Sequence, residues 1–272
     1  MTIPCLDLRD GRSLPMLGLG VYKITEQHRM DQSVSWALEA GYRLFDTAQM
    51  YGNEALLGNS LSSCGIDRGS YFLTGKLEPS NSADPATALK KSLDALKTDY
   101  LDLFLIHWPG QQQERLIWVW QQLEELHGQG LIRSLGLSNC TEKHLHWIMD
   151  SCSIAPAVHQ VEHSPLLHET DLYSLCREYD IRLQAWAPLM RGNLDNPAIA
   201  EIARRYGKTS AQVILRWNIQ HGFSAVPKSV HRERIFENAN IFDFRLSRDD
   251  MAALDGMHIG KRTGKDPYSY DY

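Results

Sequence analysis

Four side chains that could together carry out proton chemistry follow short apolar segments of the sequence. Asp46 and Tyr51 lie in YRLFDTAQMYGNE, Lys76 ends YFLTGK, and His107 ends LDLFLIH. A tyrosine phenol is a poor acid at neutral pH because its pKa is about 10, but a nearby ammonium stabilises the phenolate and lowers that pKa. If the four residues meet, we expect Lys76 to lower the pKa of Tyr51 and Asp46 to hold Lys76 protonated.

These four residue types suit the protonation of a carbonyl oxygen. Tyr51 would supply the proton as negative charge develops on the oxygen, and His107 would hold that oxygen with a hydrogen bond. The set contains no nucleophilic serine or cysteine, so the partner that it lacks is a donor of hydride. Each residue taken alone is equally compatible with a loop carboxylate, a solvated strand end or a core ring. The prediction therefore depends on the fold bringing the four together.

The rest of the chain alternates short apolar segments with stretches of helical periodicity. The strand-like segments are MLGLG, YRLFD, YFLTGK, LDLFLIH, IRSLGLSN, AVHQVE, IRLQAW and FSAVPK. Helical patterns follow them at residues 27–40, 53–63, 84–97, 112–127, 141–150, 168–179, 196–220 and 231–240. Eight such units without a linker predict an α/β fold, a (β/α)8 TIM barrel that forms a single domain over residues 1–272. The carboxyl ends of its strands would form one ring around the four residues.

Three segments fall outside the eight units. An Asp10-Gly11 turn in LDLRDGRSLP predicts an N-terminal β-hairpin that caps the barrel. The helical pattern at 196–220 is predicted to divide near Gly207, and Ser247 with Asp250 predicts one more helix that ends near Met257. The remaining tail, GKRTGKDPYSYDY, is expected to be a surface segment.

Composition excludes several classes of function. The net charge is −5 over 272 residues, and no run of lysine and arginine exceeds two, so we expect no nucleic-acid partner and no membrane partner. The five cysteines lack a CxxC spacing, which favours reduced thiols and a cytoplasmic location. We expect neither a signal peptide nor a membrane span. A monomer is expected because no strongly apolar surface helix stands out.

The segment VPKSVHRERIFEN predicts an anion site. Ser229 is placed to start a helix, Lys228 precedes it, and Arg234 lies about one turn inside, so a phosphate would meet free backbone N–H groups and two cations. NADPH, with its additional phosphate, fits this segment better than NADH. The chain has no GxGxxG, because GLGVYK carries only the first two glycines, and a Rossmann enzyme is disfavoured.

In these motifs the sequence resembles the aldo-keto reductases, and it is most similar to their compact microbial members. The resemblance runs from LGLGVYK through GYRLFDTAQMYGNE, YLDLFLIHWP, GLIRSLGLSN and QAWAPL to VPKSVHRERIFENANIFDF. It implies an NADPH-dependent reductase of aldehydes and ketones with a catalytic tetrad of Asp46, Tyr51, Lys76 and His107. Tyr51 would be the proton donor.

The resemblance also implies which residues hold the cofactor. Ser138, Asn139 and Gln160 would bind the nicotinamide carboxamide, and Trp186 would stack on the nicotinamide ring. Lys228, Ser229 and Arg234 would hold the 2′-phosphate, with Glu237 and Asn238 on the adenine. The predicted cofactor-binding residues further include Gly20, Val21, Tyr22, Ala187, Pro188, Leu189 and Val230.

The substrate is expected to be a small carbonyl compound. Tyr22, Trp108 and His107 would line its pocket, and the short tail and loops predict an open pocket that accepts simple aldehydes, dicarbonyls or keto-sugars. HQVEHSP stands where many family members have NQIEYHP, so we expect His159, His163 and Ser164 to alter the mouth of the sixth barrel strand. No metal is expected, since neither His159 with His163 nor His144 with His146 has a known ligand spacing.

Two other functions stay open at this level. One is a barrel that binds NADPH without turnover and acts as a regulatory subunit, although an intact tetrad argues against it. The other is a metal-dependent barrel hydrolase, for which chelator-sensitive hydrolysis would be the sign.

Overall fold

Eight parallel strands form the central sheet of the computed structural model, which describes residues 2–271. After an N-terminal hairpin they are β3 (Leu19–Gly20), β4 (Leu44–Asp46), β5 (Phe72–Leu77), β6 (Leu101–Ile106), β7 (Ile132–Ser138), β8 (Val158–Glu162), β9 (Arg182–Trp186) and β10 (Ser224–Ala225). Each strand pairs with the next along the chain. Ala225 joins the last strand to the first, because its amide donates to the Met16 carbonyl and its carbonyl accepts from the Gly18 amide, both at 2.9 Å. The predicted (β/α)8 barrel is confirmed.

The hairpin consists of β1 (Cys5–Asp7) and β2 (Ser13–Pro15) and lies across the amino ends of the barrel strands. The Arg182 guanidinium, at the start of β9, donates to the Asp7 carbonyl at 2.7 Å. The Ser224 hydroxyl, at the start of β10, donates to the Pro15 carbonyl at 2.8 Å. The hairpin therefore closes the end of the barrel opposite to the carboxyl ends of the strands, as its position in the sequence predicts.

Ten helices accompany the strands in the described part of the chain. They are α1 (Gln27–Glu39), α2 (Glu54–Ser63), α3 (Pro85–Leu96), α4 (Gln113–Gly128), α5 (Glu142–Ser151), α6 (Thr170–Glu178), α7 (Pro197–Tyr206), α8 (Ser210–Gln220), α9 (Arg232–Ala239) and α10 (Arg248–Asp255). Short 3-10 turns cover Gln49–Tyr51, Arg68–Ser70, Pro79–Asn81 and Met190–Gly192. No helix within residues 2–271 has the length and apolar character needed to cross a membrane.

Local capping explains where the last helices begin and end. Gly207 ends α7 in the left-handed conformation with φ of 62°, and Thr209 with Gln212 forms a reciprocal capping box at the start of α8. The Ser247 hydroxyl accepts from the Asp250 amide at 3.1 Å at the start of α10. Both predicted helix boundaries are therefore confirmed, and α10 ends two residues before the expected Met257.

Apolar packing fills two layers, one between the strands and the outer helices and one inside the barrel near the hairpin. The inner layer contains Leu8, Leu14, Leu44, Phe72, Leu103, Leu105 and Val158. In the outer layer α2 and α3 approach closely at Gly58, where a Cβ atom would lie 2.3 Å from the Ala95 carbonyl oxygen. Only glycine fits there, so this contact fixes the helix that follows the Tyr51 loop.

Candidate active site

The buried amine of Lys76 joins Asp46 and Tyr51 at the carboxyl ends of β4 and β5. Its Nζ lies 2.5 Å from Oδ1 of Asp46, 2.9 Å from the Thr47 carbonyl oxygen and 3.3 Å from Oη of Tyr51. The Lys76 side chain is fully buried and Asp46 is 2% exposed. Removing an ammonium from water is costly unless it is paired and hydrogen-bonded, and three acceptors meet that requirement here.

Local contacts set the position of Tyr51. The residue ends the 3-10 turn Gln49–Tyr51, which Gly52 terminates with φ of 65°. Asn53 then fixes the loop, because its amide donates to the carbonyls of Val21 and Ile24 at 2.8 and 3.0 Å and accepts from the Thr47 hydroxyl. These bonds return the chain from the end of β4 towards β3 and hold the phenol over the amine.

The pKa values of Tyr51 and Lys76 differ in one respect from the sequence prediction. Lys76 lowers the pKa of Tyr51, as predicted, but burial raises that pKa by more, so the net direction is upward and not downward as the sequence led us to expect. Burial alone would lower the pKa of Lys76, but Asp46 and Tyr51 raise it by more, so the amine stays protonated. The pair therefore consists of a neutral phenol beside an ammonium.

His107 follows β6 and faces the same phenol. Its ring packs edge-on to the Tyr51 ring, with the centroids 5.7 Å apart. Burial and the Lys76 charge hold the pKa of His107 well below its ordinary value, which makes the imidazole neutral. Its buried Nδ1 has no hydrogen-bond partner within residues 2–271. A neutral imidazole carries one N–H group, which can donate a hydrogen bond to a substrate oxygen.

The residues expected around a nicotinamide meet at the ends of β7, β8 and β9. The Asn139 amide donates to the His107 carbonyl at 2.9 Å and to the Ser138 hydroxyl at 3.0 Å, while its oxygen accepts from the Trp186 indole at 2.8 Å. The amide nitrogen of Gln160 lies 2.7 Å from Oδ2 of Asp46. The residues expected around a nicotinamide are thus hydrogen-bonded directly to the tetrad, through His107 and Asp46.

A cluster of cations lies where the phosphate site is predicted. Partial burial lowers the pKa of Lys228, and the nearby Arg29 and Lys23 charges lower it further. Three cations therefore gather in one place, although Arg29 also pairs with the Glu26 carboxylate at 3.4 Å, and such a concentration of positive charge favours a bound polyanion. Arg29 and Lys23 were missed at the sequence level, although Lys23 directly follows GLGVY.

The predicted start of the nearby helix is wrong. Ser229 does not begin α9; its hydroxyl accepts from the His231 amide at 3.1 Å and turns the chain before the helix starts at Arg232. His231 is the residue before the helix, and its side chain makes no capping bond, so the first-turn N–H groups keep no side-chain acceptor there. Arg234, in that first turn, is exposed. An anion site at this position stays a prediction, with the start of the helix shifted to Arg232.

Other predicted cofactor-binding residues lie around the nicotinamide residues and the cation cluster. Gly20 approaches the β10 side of the barrel so closely that a Cβ would lie 2.8 Å from the Val226 carbonyl oxygen. Ala187 has φ of 46°, which strains the loop after β9. The Glu237 carboxylate accepts from the Thr209 hydroxyl at 2.6 Å. The remaining predicted positions are buried or half-buried at the same rim: Val21, Pro188, Leu189, Val230 and Asn238.

The C-terminal tail crosses the mouth of the barrel, which corrects the expectation of an open pocket beside a surface segment. The buried Glu162 carboxylate, at the end of β8, accepts from the amide of Thr263 at 2.6 Å and from that of Gly264 at 3.1 Å. A Cβ on Gly264 would lie 2.4 Å from the Trp186 ring, so the tail packs directly on the indole. Glu162 and Gly264 had no signal in the sequence, because the contact joins distant segments.

Aromatic side chains line the space beside the tetrad. Tyr22 is 45% exposed and its ring lies 4.9 Å from that of Tyr51. The Trp108 ring packs 4.8 Å from that of Tyr270, which the tail brings to this rim. Trp108 and Tyr22 were predicted as pocket residues, whereas Tyr270 was missed.

His159 and His163, which were weighed as metal ligands, make structural contacts instead. The His159 ring accepts from the Cys140 amide at 3.0 Å and lies against the Cys176 thiol. His163 is stacked between Trp217 and Phe223, with ring centroids at 4.5 and 3.9 Å, and not at the strand mouth as expected. No group of three histidine, cysteine or acidic side chains suited to a metal occurs within residues 2–271.

A (β/α)8 barrel with a buried lysine, an aspartate and a tyrosine at its carboxyl rim, next to a cation cluster, defines a nucleotide-dependent oxidoreductase type of site. A family model described as "Aldo/keto reductase family" matches residues 16–259. The chain belongs to the aldo/keto reductase family.

Characterised relatives and solved structures agree with this assignment. The chain is 41% identical to the glyoxal reductase of Bacillus subtilis over 263 residues, which covers 96% of this chain and 95% of that protein. It is 40% identical to a methylglyoxal reductase of Yersinia pestis, covering 97% and 96%. A Bombyx mori aldo-keto reductase in complex with NADP superposes with a TM-score of 0.92 at 29% identity, covering 100% of this chain and 98% of that one. An aldo-keto reductase from a deep-sea metagenome gives 0.94 at 33% identity, covering 98% and 100%.

Proposed function

We propose that this protein reduces aldehyde and ketone carbonyls with NADPH, and that Tyr51 is the proton donor. The observation that carries the proposal is the position of the Lys76 amine, within hydrogen-bond distance of both the Asp46 carboxylate and the Tyr51 phenol. An ammonium in that place stabilises the phenolate that remains after the proton has left. It acts where solvent is excluded, so its effect is larger than in water.

Each member of the tetrad then has a distinct role. The bound cofactor supplies a hydride to the carbonyl carbon. Tyr51 holds its proton at neutral pH, because burial raises its pKa, and transfers it to the carbonyl oxygen as charge develops there. Asp46 keeps Lys76 charged and oriented. His107, neutral because burial lowers its pKa, donates a hydrogen bond that aligns the carbonyl oxygen.

The choice of cofactor follows from the residues at the rim. The clustered charges of Lys228, Arg29 and Lys23 fit a molecule with several phosphates, and the amides of Asn139 and Gln160 fit a carboxamide. The Bombyx mori relative binds NADP. NADPH, held by these groups, is therefore the cofactor that we assign.

The substrate class is inferred from the pocket and the relatives. Tyr22, Trp108 and Tyr270 surround the space next to Tyr51, and the tail restricts its width. Relatives named for glyoxal and methylglyoxal reduction are 41% and 40% identical to this chain. We assign small aldehydes and dicarbonyls as substrates.

Location and assembly are further parts of the proposal. The five cysteines are free thiols, which suits a reducing compartment such as the cytoplasm. Among the exposed large apolar side chains, Tyr22, Trp118 and Ile259 belong to different segments of the chain, which supports a monomer.

The proposal is tested by following the absorbance of NADPH with glyoxal, methylglyoxal, simple aldehydes and ketones. We expect carbonyl-dependent oxidation of NADPH by the wild type and its loss by at least about 100-fold in Tyr51→Phe, which retains the ring and removes the proton. Tyr71→Phe is the matched control and should act as wild type. A Tyr51→Phe variant of full activity contradicts the assignment of the proton donor.

A further inference from the structure

A continuous chain of buried hydrogen bonds runs from the hairpin to the tetrad through the interior of the barrel. The Ser224 hydroxyl donates to the Pro15 carbonyl at 2.8 Å and accepts from the Gln184 amide nitrogen at 3.1 Å. Oε1 of Gln184 accepts from the Gln160 amide nitrogen at 2.6 Å. The same nitrogen of Gln160 donates to Oδ2 of Asp46 at 2.7 Å. We call these five residues the interior polar chain.

The interior polar chain is built by strand register. Ser224, Gln184 and Gln160 are directly paired positions on β10, β9 and β8. Ser224 and Gln184 are fully buried, and Gln160 is 1% exposed. The interior of such a barrel is ordinarily filled with branched apolar side chains, and burying an amide is costly unless its groups are bonded. Three buried polar side chains whose hydrogen bonds form a continuous series therefore have a role beyond packing.

The direction of every bond in the chain is determined from both of its ends, because the Pro15 carbonyl and the Asp46 carboxylate can only accept. The Pro15 carbonyl can only accept, so the Ser224 hydroxyl must donate to it and can accept from Gln184. Gln184 therefore turns its NH2 group to Ser224 and its oxygen to Gln160. Gln160 must in turn present its NH2 group to Gln184, and its two N–H groups are shared between that oxygen and the Asp46 carboxylate.

The polarity of Gln160 decides what it can offer a cofactor. Both N–H groups of Gln160 are already bonded, one to Asp46 and one to Gln184. Its Oε1 atom has no hydrogen-bond partner within residues 2–271. An oxygen is the acceptor that the N–H of a carboxamide needs. If the amide were reversed, its oxygen would face the Asp46 carboxylate, and the N–H of a carboxamide would lose its acceptor on Gln160.

We propose that Gln184 is a positioning residue that fixes the amide of Gln160 so that it donates to Asp46 and accepts from the carboxamide of the nicotinamide. This proposal rests on the proposed function in one respect, the contact between Gln160 and the carboxamide. Gln184 itself touches neither cofactor nor substrate.

The test compares two ligands that differ only in the group at issue. NADP+ carries a carboxamide, whereas its 3-acetylpyridine analogue carries a methyl ketone with no N–H. Dissociation constants are measured by calorimetry, without turnover. The variants are Gln184→Met, which removes the acceptor at similar volume, Gln184→Glu, which retains an acceptor, and Ser224→Ala, which removes the outer anchor. Thermal unfolding checks that each variant is folded.

In the wild type we expect NADP+ to bind more tightly than the analogue. Gln184→Met should weaken the binding of NADP+ about tenfold, the loss of roughly one well-made hydrogen bond, and leave that of the analogue unchanged, so the preference decreases by that factor. Gln184→Glu should restore the preference, and Ser224→Ala should reduce it partly. A merely structural role would weaken both ligands equally.

Three results would overturn the proposal: a wild type that does not distinguish the ligands, a folded Gln184→Met variant that keeps the preference, or a folded Gln184→Glu variant that loses as much as Gln184→Met. Each is separate from failure of the proposed function. That function fails if no carbonyl causes oxidation of NADPH or if Tyr51→Phe is fully active, whereas the binding ratio requires no catalysis.

Discussion

The Nζ atom of Lys76 lies 3.3 Å from Oη of Tyr51, and this distance links two residues that β4 and β5 carry to the same rim of the barrel. The amine has no exposed surface. Its charge therefore acts on the phenol with little screening by water. In an oxidoreductase this pairing determines how well the phenolate is tolerated after proton transfer.

Removal of that charge should affect rate and stability together. In Lys76→Met, we expect kcat/KM for methylglyoxal to fall by at least about 100-fold, because the phenolate loses its counter-charge. The Asp46 carboxylate is left buried without its cation, so we also expect a loss of about 3 kcal/mol or more in the free energy of unfolding. Steady-state kinetics and chemical denaturation measure the two effects.

The control for this variant is the same substitution at Lys90, an exposed residue of α3. Lys90→Met should retain wild-type kinetics and stability to within about 0.5 kcal/mol. Wild-type activity in Lys76→Met would show that the amine is not required for the chemistry.

The pH dependence of reduction follows from the two shifted groups. Burial raises the pKa of Tyr51 above its ordinary value of 10.0, and burial with the Lys76 charge holds that of His107 well below 6.5. A phenol donates its proton only below its pKa, so the acid form persists across neutral and mildly alkaline pH. We expect kcat for reduction to stay level between pH 6.5 and about 9 and to fall at higher pH. A marked fall in kcat centred near pH 7 would contradict this assignment.

The cation cluster should distinguish NADPH from NADH. Lys228→Met is expected to raise the dissociation constant of NADPH by about 10- to 100-fold, since a charge-assisted contact is lost, and to change that of NADH little. Lys23→Met should act in the same direction with a smaller effect, because its charge adds to the cluster around Lys228. Fluorescence titration with both cofactors measures the ratio, and Lys90→Met is the matched control. If the dissociation constants of NADPH and NADH rise equally, Lys228 does not contact the phosphate that distinguishes the two cofactors.

The contact between the tail and Trp186 can be tested by the addition of one methyl group at Gly264. A methyl group at Gly264 would lie 2.4 Å from the indole ring, so Gly264→Ala must displace the tail or the ring. We expect higher KM values for carbonyl substrates and altered tryptophan fluorescence. Gly256→Ala introduces the same atom where its nearest contact is 3.4 Å away, and it should behave as wild type. An unchanged KM in Gly264→Ala would show that the position of the tail does not affect substrate binding.

Local chemistry explains why so much of the fold was predictable from the sequence. The eight strands are short apolar runs buried on both faces, and the capping residues Thr209 and Ser247 mark helix starts through bonds to residues three positions on. The tetrad was predictable for the same reason, since its members follow strands whose carboxyl ends meet at one rim.

Features that depend on distant contacts were not predictable. The path of the tail is set by Glu162, about a hundred residues away in sequence, and nothing in the tail itself indicates it. Ser229 looks like the start of a helix, but its hydroxyl bonds two residues on instead. The direction of the Tyr51 pKa depends on the depth of burial, which residue types and spacing do not give. The same holds for Gln184, whose role appears only through strand register.

Buried histidines should make the protein sensitive to acid. Burial lowers the pKa of His163 and of His159 from 6.5 to about 3. Below pH 6.5 the unfolded chain binds protons that the folded chain does not, so the free energy of unfolding falls as the pH decreases from 6.5 towards 3. At pH 5 each of the two histidines should cost about 2 kcal/mol relative to neutral pH.

His163→Phe tests this contribution, because phenylalanine preserves the stack between Trp217 and Phe223 and cannot titrate. It loses the bond of 2.7 Å between Nδ1 and Asn218, so its stability at pH 7 should be lower than that of the wild type. The variant should lose less stability than the wild type between pH 6.5 and 5, by about 2 kcal/mol, as measured by urea denaturation at each pH. His28→Phe, on the exposed face of α1, should follow the wild-type pH dependence. Parallel curves for His163→Phe and the wild type would mean that another group causes the acid sensitivity.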